Sequence, residues 1–219
     1  RVGVKGMTVP EADRPQTNLV FLIDVSGSMQ SYDRIGYVKY ALKTLVGALR
    51  ETDTIAIVTY AGAETLALPA TQVKERTKIL NVIDNLTASG STNGEAGLRM
   101  AYEVADQARC TNRPELQVNC NNAIDRVILM TDGDFNVGVS DQELVDLISS
   151  WRGRGVYLSA FGFGDENLDD AFLNDLTENG NGNYAFIDSH NEAKRALEQE
   201  LGATIQVIAQ DVKVQVVFN

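Results

Sequence analysis

The sequence contains few of the residues on which several functional classes depend. It has one histidine and two cysteines, too few for the four ligands of a structural zinc site. It has no run of about 18 apolar residues, so no segment is predicted to span a membrane as a helix. Acidic residues outnumber basic residues by 30 to 19, and the resulting net charge of −11 repels the phosphates of nucleic acids and anionic membranes. Neither nucleic-acid binding nor a membrane span is therefore predicted.

The sequence also lacks the motifs of common enzymes. Neither G-x-x-x-x-G-K-[ST] nor G-x-G-x-x-G occurs in it, so no loop that binds a nucleotide phosphate is predicted. Asp188, Ser189 and His190 are the residue types of a catalytic triad, but consecutive residues cannot converge on one another as a relay requires. We interpret His190 as a solvated turn residue and predict that the protein is not an enzyme.

What the sequence does contain is typical of one large α/β domain. Apolar runs that fit strands alternate with segments in which apolar residues recur at helical spacing. This alternation predicts a mostly parallel central sheet flanked by helices, with a short edge strand that Pro69 interrupts. The predicted strands cover 19–23, 54–60, 65–71, 127–130, 156–163 and 184–187, and the predicted helices cover 33–50, 79–86, 96–108, 144–151, 168–179 and 193–208.

Oxygen-bearing side chains follow the first predicted strand directly. Asp24, Ser26 and Ser28 lie in a Gly/Ser-rich turn after the apolar run 19–23. Open parallel sheets bind ligands at the carboxyl ends of their strands. One carboxylate and two hydroxyls are hard donors, which favour a hard divalent cation over an organic cofactor. The sequence therefore predicts metal-dependent binding at this edge of the sheet.

Two distant segments carry further oxygen donors in matching positions. Thr92 lies in the turn S-G-S-T-N-G, which precedes a helical pattern, and Asp132 follows the apolar strand 127–130 in a T-D-G turn. Asp132 thus ends a second buried strand in the way that Asp24 ends the first. Because both strands are predicted to be parallel, their carboxyl ends would lie at the same edge of the sheet.

These five residues make the chain similar to the von Willebrand factor A (VWA) domain family. The metal-ion-dependent adhesion site (MIDAS) of that family is written D-x-S-x-S, then a distant Thr, then a distant Asp in a T-D-G turn. The resemblance implies a Rossmann-like doubly wound sheet with one antiparallel edge strand. It also implies hydroxyl ligation by Ser26, Ser28 and Thr92 and ligation by Asp24 and Asp132, directly or through water. An Asp or Glu carboxylate of a protein partner would complete the octahedron around Mg²⁺, or around Ca²⁺ or Mn²⁺.

Three alternatives to an adhesion site follow from the same residues. A calcium-binding loop of the EF-hand type over Asp132, Asp134, Asn136 and Glu143 is disfavoured, because Val137 occupies the position of the required glycine. A Mg²⁺-dependent phosphatase or phosphotransferase that uses an aspartyl phosphate needs a second acid two residues after its nucleophile, and this sequence has a serine there. The third alternative is a structural domain in which a metal only links loops.

Cys110 and Cys120 flank a polar loop. This spacing predicts a disulfide and an oxidising compartment; the alternative is two free thiols in a cytosolic protein. The segments N-L-V-F-L-I-D-V-S-G-S-M and D-V-K-V-Q-V-V-F-N resemble bacterial surface lipoproteins that carry a VWA domain followed by a C-terminal extension. This narrower resemblance implies an extracytoplasmic location, in the periplasm or at the cell surface, with a lipid anchor upstream.

The chain begins at Arg1 rather than Met and ends inside an apparent strand, which we interpret as a piece of a longer protein. The expected organisation is an N-terminal flank over 1–17, a VWA domain over 18–209 and the start of a C-terminal extension over 210–219. The weakly alternating segments 2–4 and 212–216 would pair with each other or belong to neighbouring domains.

Overall fold

The computed structural model describes residues 15–111, 123–133, 135, 141–164 and 169–196. These residues contain six strands and five α-helices, followed by a helix that begins at residue 190 and is described as far as 196. The strands are β1 (Thr17–Asp24), β2 (Thr54–Tyr60), β3 (Glu64–Gln72), β4 (Ile124–Thr131), β5 (Val156–Phe163) and β6 (Tyr184–Ile187), and the helices are α1 (Tyr37–Ala48), α2 (Arg76–Asp84), α3 (Gly94–Thr111), α4 (Asp141–Gly153) and α5 (Asp170–Asn179).

The strands form one sheet in the order β3-β2-β1-β4-β5-β6. All neighbouring strands are parallel except β2 and β3, which are antiparallel, so the predicted fold class is confirmed. The chain order reverses between β1 and β4, and such a switch point is where open α/β sheets form a crevice for ligands. Ile23 pairs with Met130, so Asp24 and Thr131 leave the sheet side by side at this point.

Both faces of the sheet are covered, which explains why the central strands are apolar along their whole length. On β1, Leu19, Phe21 and Ile23 pack into one core layer, while Val20 and Leu22 pack into the other. Helices α1 and α2 and the helix that begins at residue 190 cover the first layer, and α3, α4 and α5 cover the second. The core therefore holds the carboxyl ends of β1 and β4 in fixed positions.

The helix predicted over 33–50 is wrong at its start. Between β1 and α1 the chain forms a 3-10 turn over Gly27–Gln30 and a π turn over Tyr32–Gly36. The π turn carries Arg34, whose Nη1 donates to the Ser28 carbonyl oxygen at 2.9 Å. Ile35 fits the helical spacing of apolar residues, so the sequence pattern does not reveal the π geometry.

Several predictions concern segments that the structure does not describe. Cys120 of the predicted Cys110–Cys120 disulfide, the segments 2–4 and 212–216, and the closing helix beyond residue 196 lie outside the described residues. No helix in the described part of the chain combines the length and the hydropathy that a membrane span requires.

Candidate metal centre

The loop after β1 is held in a tight turn by its own backbone. Asp24 is fully buried, and its Oδ1 accepts a hydrogen bond of 2.8 Å from the backbone N–H of Ser26. The N–H of Met29 donates to the Ser26 carbonyl oxygen at 3.1 Å, and the buried Met29 side chain anchors the turn in the core. As a result, Ser26 Oγ and Ser28 Oγ lie 3.0 Å apart. The loop therefore presents two hydroxyl oxygens next to one buried carboxyl group.

The loop that carries Thr92 is bonded to this turn through the backbone. The Gly27 N–H donates to the Gly90 carbonyl oxygen at 2.9 Å, and the Ser89 N–H donates to the Val25 carbonyl oxygen at 2.6 Å. Gly90 has φ +93°, a conformation that glycine adopts without strain. Thr92 is partly buried and lies two residues beyond Gly90, just before α3. The structure thus brings the second predicted segment against the first.

The T-D-G turn lies on the other side of Asp24. Thr131 Oγ1 donates to Asp24 Oδ2 at 3.3 Å and accepts from the Gly133 N–H at 3.1 Å. Phe135 packs edge-on against the Tyr60 ring, with centroids 5.6 Å apart. The turn is therefore fixed both to the first loop and to the core, and it holds the buried Asp132 at the switch point.

Asp132 uses its two carboxylate oxygens differently. Oδ2 accepts a hydrogen bond of 2.9 Å from Arg34 Nη1 in an ion pair. Oδ1 is buried and has no hydrogen-bond partner among the described residues. A buried carboxylate oxygen without a partner is costly, which makes it a suitable position for a cation. Arg34 was not identified from the sequence, because the resemblance to the family gives this position no role.

The donor set fits a hard divalent cation. Two carboxylates and a close pair of hydroxyls form an oxygen-only set of the kind that suits Mg²⁺, Ca²⁺ or Mn²⁺. In the part of the chain that the structure describes, no group of three or more His, Cys, Asp or Glu side chains could hold a metal. A metal at the switch point would therefore depend on hydroxyl donors as well as on Asp24 and Asp132.

The alternatives drawn from single motifs gain no support from these contacts. Asp134 and Asn136 of the calcium-loop alternative lie outside the described residues, and a strand, not a helix, precedes Asp132. Ser189 caps the helix that begins at residue 190: its Oγ accepts from the Glu192 N–H at 3.2 Å.

The interpretation of His190 as a solvated turn residue is wrong. His190 lies at the start of a helix and is partly buried. Its ring contacts those of Tyr37 and Tyr40 edge-on, with centroids 4.8 and 4.5 Å apart, and lies 6.4 Å from the ring of Tyr32. Because these tyrosines come from the turn before α1 and from α1 itself, the local sequence around His190 could not reveal them.

Burial controls the electrostatics of Asp24. It raises the pKa of this carboxyl from 3.8 to about 6; hydrogen bonds from Ser26 oppose the rise and the neighbouring Asp132 charge adds to it. Burial also raises the pKa of the Tyr60 hydroxyl well above its usual value, and the Asp24 carboxylate contributes to that rise. Tyr60 therefore stays neutral, whereas Asp24 binds a proton more readily than an exposed aspartate does.

The raised pKa of Asp24 predicts a pH-dependent stability. The folded protein binds the Asp24 proton more tightly than the unfolded chain does, so in EDTA the contribution of Asp24 to the free energy of unfolding should fall as the pH rises from about 4 to 6. The shift from 3.8 to about 6 corresponds to about 3 kcal/mol. Asp24→Asn should therefore be more stable than the wild type by up to this amount at pH 7, with little difference at pH 4. Urea denaturation of both proteins across this range measures it, and a pH-independent difference would contradict the prediction.

Comparison with known proteins identifies the family. The family model of the von Willebrand factor type A domain matches residues 18–200. The chain is 43% identical over 206 residues to the uncharacterized protein YfbK of Escherichia coli (strain K12), a match that covers 94% of this chain and 34% of that protein. The chain thus spans about a third of the length of this relative.

Solved structures with the same fold include two proteins of the family. A von Willebrand factor type A protein from Catenulispora acidiphila has a TM-score of 0.70 at 20% identity, over 87% of this chain and 43% of that chain. Proximal thread matrix protein 1 from the mussel byssus, with a zinc-occupied MIDAS motif, has a TM-score of 0.64 at 20% identity, over 88% of this chain and 46% of that chain. With the match over residues 18–200 and the sheet order, the conclusion is that this chain belongs to the von Willebrand factor type A domain family.

Proposed function

We propose that this domain is a divalent-cation-dependent protein-binding module of the adhesion type. In this proposal Asp24, Ser26, Ser28, Thr92 and Asp132 hold the cation, with Mg²⁺ as the first candidate and Ca²⁺ or Mn²⁺ as the others. The partner is a protein that presents an Asp or Glu carboxylate, and the domain has no catalytic activity.

The observation that supports the proposal most is the arrangement of oxygens at the switch point. The paired hydroxyls of Ser26 and Ser28 lie on a loop bonded to that of Thr92, and the buried Asp132 Oδ1 has no partner among the described residues. When bound, a divalent cation would supply a positive centre with an exchangeable coordination position. Because the hydroxyls carry no charge, the cation would keep more positive charge than it would in a site made only of carboxylates. It would therefore still attract the carboxylate of a partner. Ser28 is exposed, so a partner could approach from its side.

The role of the chain's own residues is to hold this arrangement rigid. Asp24 fixes the turn through its bond to the Ser26 N–H, and Thr131 links Asp24 to the T-D-G turn. A preformed site loses little conformational entropy on binding. A phosphotransferase would require a second acid near Asp24, and Ser26 occupies the position at which such an acid is expected.

We further propose that residues 18–209 form the binding domain, and that the flanks 1–17 and 210–219 connect it to other parts of a longer protein. The resemblance to surface lipoproteins supports an extracytoplasmic location, in the periplasm or at the cell surface, with a lipid anchor. The proposed Cys110–Cys120 disulfide agrees with an oxidising compartment.

The test is cation add-back to the full 219-residue chain after EDTA treatment. A cation at 100 times its Kd should stabilise the protein by about 2.7 kcal/mol, which corresponds to a rise in Tm of about 5–10 °C for a domain of this size. The immobilised chain should also retain a protein from a bacterial envelope extract in Mg²⁺ and release it in EDTA. Undiminished capture in EDTA, or no response of Tm to Mg²⁺, Ca²⁺ or Mn²⁺, would contradict the proposal.

The Tm and capture measurements, together with an assay of phosphoester turnover, separate the alternatives. A structural role predicts the rise in Tm with no cation-dependent capture. An enzyme predicts turnover of a generic phosphoester such as p-nitrophenyl phosphate, and this turnover should disappear in Asp24→Asn.

A further inference from the structure

Arg34 is bonded to two of the three loops of the candidate metal centre, the turn after β1 and the T-D-G turn. Its Nη1 donates to Asp132 Oδ2 and to the Ser28 carbonyl oxygen, each at 2.9 Å. The Arg34 side chain is 17% exposed and that of Asp132 is 3% exposed. The guanidinium therefore lies beside the oxygens that would hold a cation, and it is itself a cation at every physiological pH.

The surrounding chain leaves room for this guanidinium. Gly164 directly follows β5 and has φ +90°, and a Cβ atom at this position would lie 2.8 Å from Arg34 Nε. The positive φ favours glycine at residue 164, and a side chain there would crowd that of Arg34. The π turn over Tyr32–Gly36 carries Arg34 from the other side. Three separate elements therefore meet around one arginine.

The position of this charge has an electrostatic consequence. Arg34 neutralises one of the two carboxylates at the switch point, and it would repel a divalent ion that approached the free oxygen of Asp132. At separations of a few ångström and at the partial exposure of this site, such repulsion is weakened by solvent but not abolished. Removal of the Arg34 charge should therefore raise the affinity of the site for a divalent ion. This gain should exceed any loss of affinity caused by removing the hydrogen bond that positions Asp132.

We propose that Arg34 is a built-in competitor cation that lowers the affinity of the centre for divalent ions. It pairs with Asp132 when the ion is absent and so stabilises that form of the protein, at the expense of metal binding. The site would then fill only where the divalent cation is abundant. This inference rests on the proposed function, since it presupposes a metal at the switch point.

The test is titration of the full chain with Mn²⁺ by calorimetry, for the wild type and three variants. Arg34→Gln removes the charge but keeps hydrogen-bond donors, and it should bind Mn²⁺ about tenfold more tightly. Arg34→Lys keeps the charge and should stay within about threefold of the wild type. Arg152→Gln is the matched control: Arg152 lies in the last turn of α4, at the amino edge of the sheet, and its loss should leave Mn²⁺ binding unchanged.

A second readout needs no metal. In EDTA, Arg34→Gln should have a lower Tm than the wild type, because Asp132 has lost its counter-charge, and saturating Mn²⁺ should reduce this difference. Arg34→Met, a second neutral variant of similar size, replaces Arg34→Gln if the latter does not fold. Equal or weaker Mn²⁺ binding by the neutral variants would overturn the role of Arg34 and leave the proposed function intact. Absence of Mn²⁺ binding in the wild type and in every variant would overturn the proposed function itself.

Discussion

Asp132→Ala and Thr92→Ala are each expected to abolish cation-dependent partner capture while the fold survives. Asp132 provides the buried oxygen Oδ1 that has no partner among the described residues, so its removal takes away one of the two carboxylates of the centre. Thr92 lies on the loop that backbone hydrogen bonds hold against Val25 and Gly27, and alanine would leave those bonds in place. The cation-dependent rise in Tm should disappear in both variants. Thermal unfolding with and without Mg²⁺ at about 5–10 mM, an excess that would fill a weak site, measures this.

Two matched variants show whether the loss is specific. Ser91→Ala removes the hydroxyl of the residue next to Thr92, and Asp188→Ala removes an exposed carboxylate that follows β6 at the same edge of the sheet. Both should keep cation-dependent capture and a cation-dependent Tm. Capture retained in Asp132→Ala and Thr92→Ala, or lost equally in Ser91→Ala, would mean that the partner contacts this edge without the proposed ligands.

Much of the fold could be predicted because the central strands are buried on both faces. The run 19–23 has no polar residue, as a strand between two core layers requires, and Thr54–Tyr60, Val156–Phe163 and Tyr184–Ile187 begin and end at the predicted residues. The antiparallel pairing of β2 and β3 follows from the short connection between them and agrees with the family fold. In these segments the local preference and the tertiary packing favour the same structure.

For the candidate site, the sequence could predict only the residues that belong to recognisable motifs. Asp24, Ser26 and Ser28 fall within five residues of one another, so their proximity is local, and β1 and β4 bring Asp132 beside them. Arg34 was missed because its contact with Asp132 joins residues 98 positions apart and leaves no periodic signal. A basic residue in a turn resembles any solvated side chain until the structure shows what it touches.

The misinterpretation of His190 has the same cause. Its neighbours Tyr37 and Tyr40 belong to α1, and only the packing of the last described helix against α1 brings the rings together. A single histidine after a strand gives no indication of such a distant partner. Tertiary contacts of this kind determine the environment of a side chain without changing its local sequence pattern.

The second large effect is expected at the opposite edge of the sheet, in Arg109→Met. Asp125 is fully buried at the start of β4, and its Oδ2 accepts a hydrogen bond of 2.6 Å from Arg109 Nε. Asn18 Nδ2 donates to the other oxygen, Oδ1, at 3.2 Å. Removing Arg109 takes a counter-charge away from the buried Asp125, and breaking a buried ion pair in this way typically costs about 3–5 kcal/mol. Urea denaturation at pH 7 should show a loss of this size, with a fall in Tm of about 6–20 °C.

The double variant Arg109→Met/Asp125→Asn tests whether the lost counter-charge of Asp125 is the cause. Asparagine keeps an acceptor for Asn18 but carries no charge, so the double variant should be more stable than Arg109→Met alone; equal instability would assign the loss to packing. Because Asp125 and Asp132 are separated by the length of β4, about 23 Å, cation binding by the folded double variant should match that of the wild type. Recovery in the double variant would mean that the cost arises from the Asp125 charge without Arg109. At the carboxyl edge, by contrast, the buried Asp24 lowers stability in its charged form, and under the proposed function it is retained for cation binding, as is common where function and stability compete.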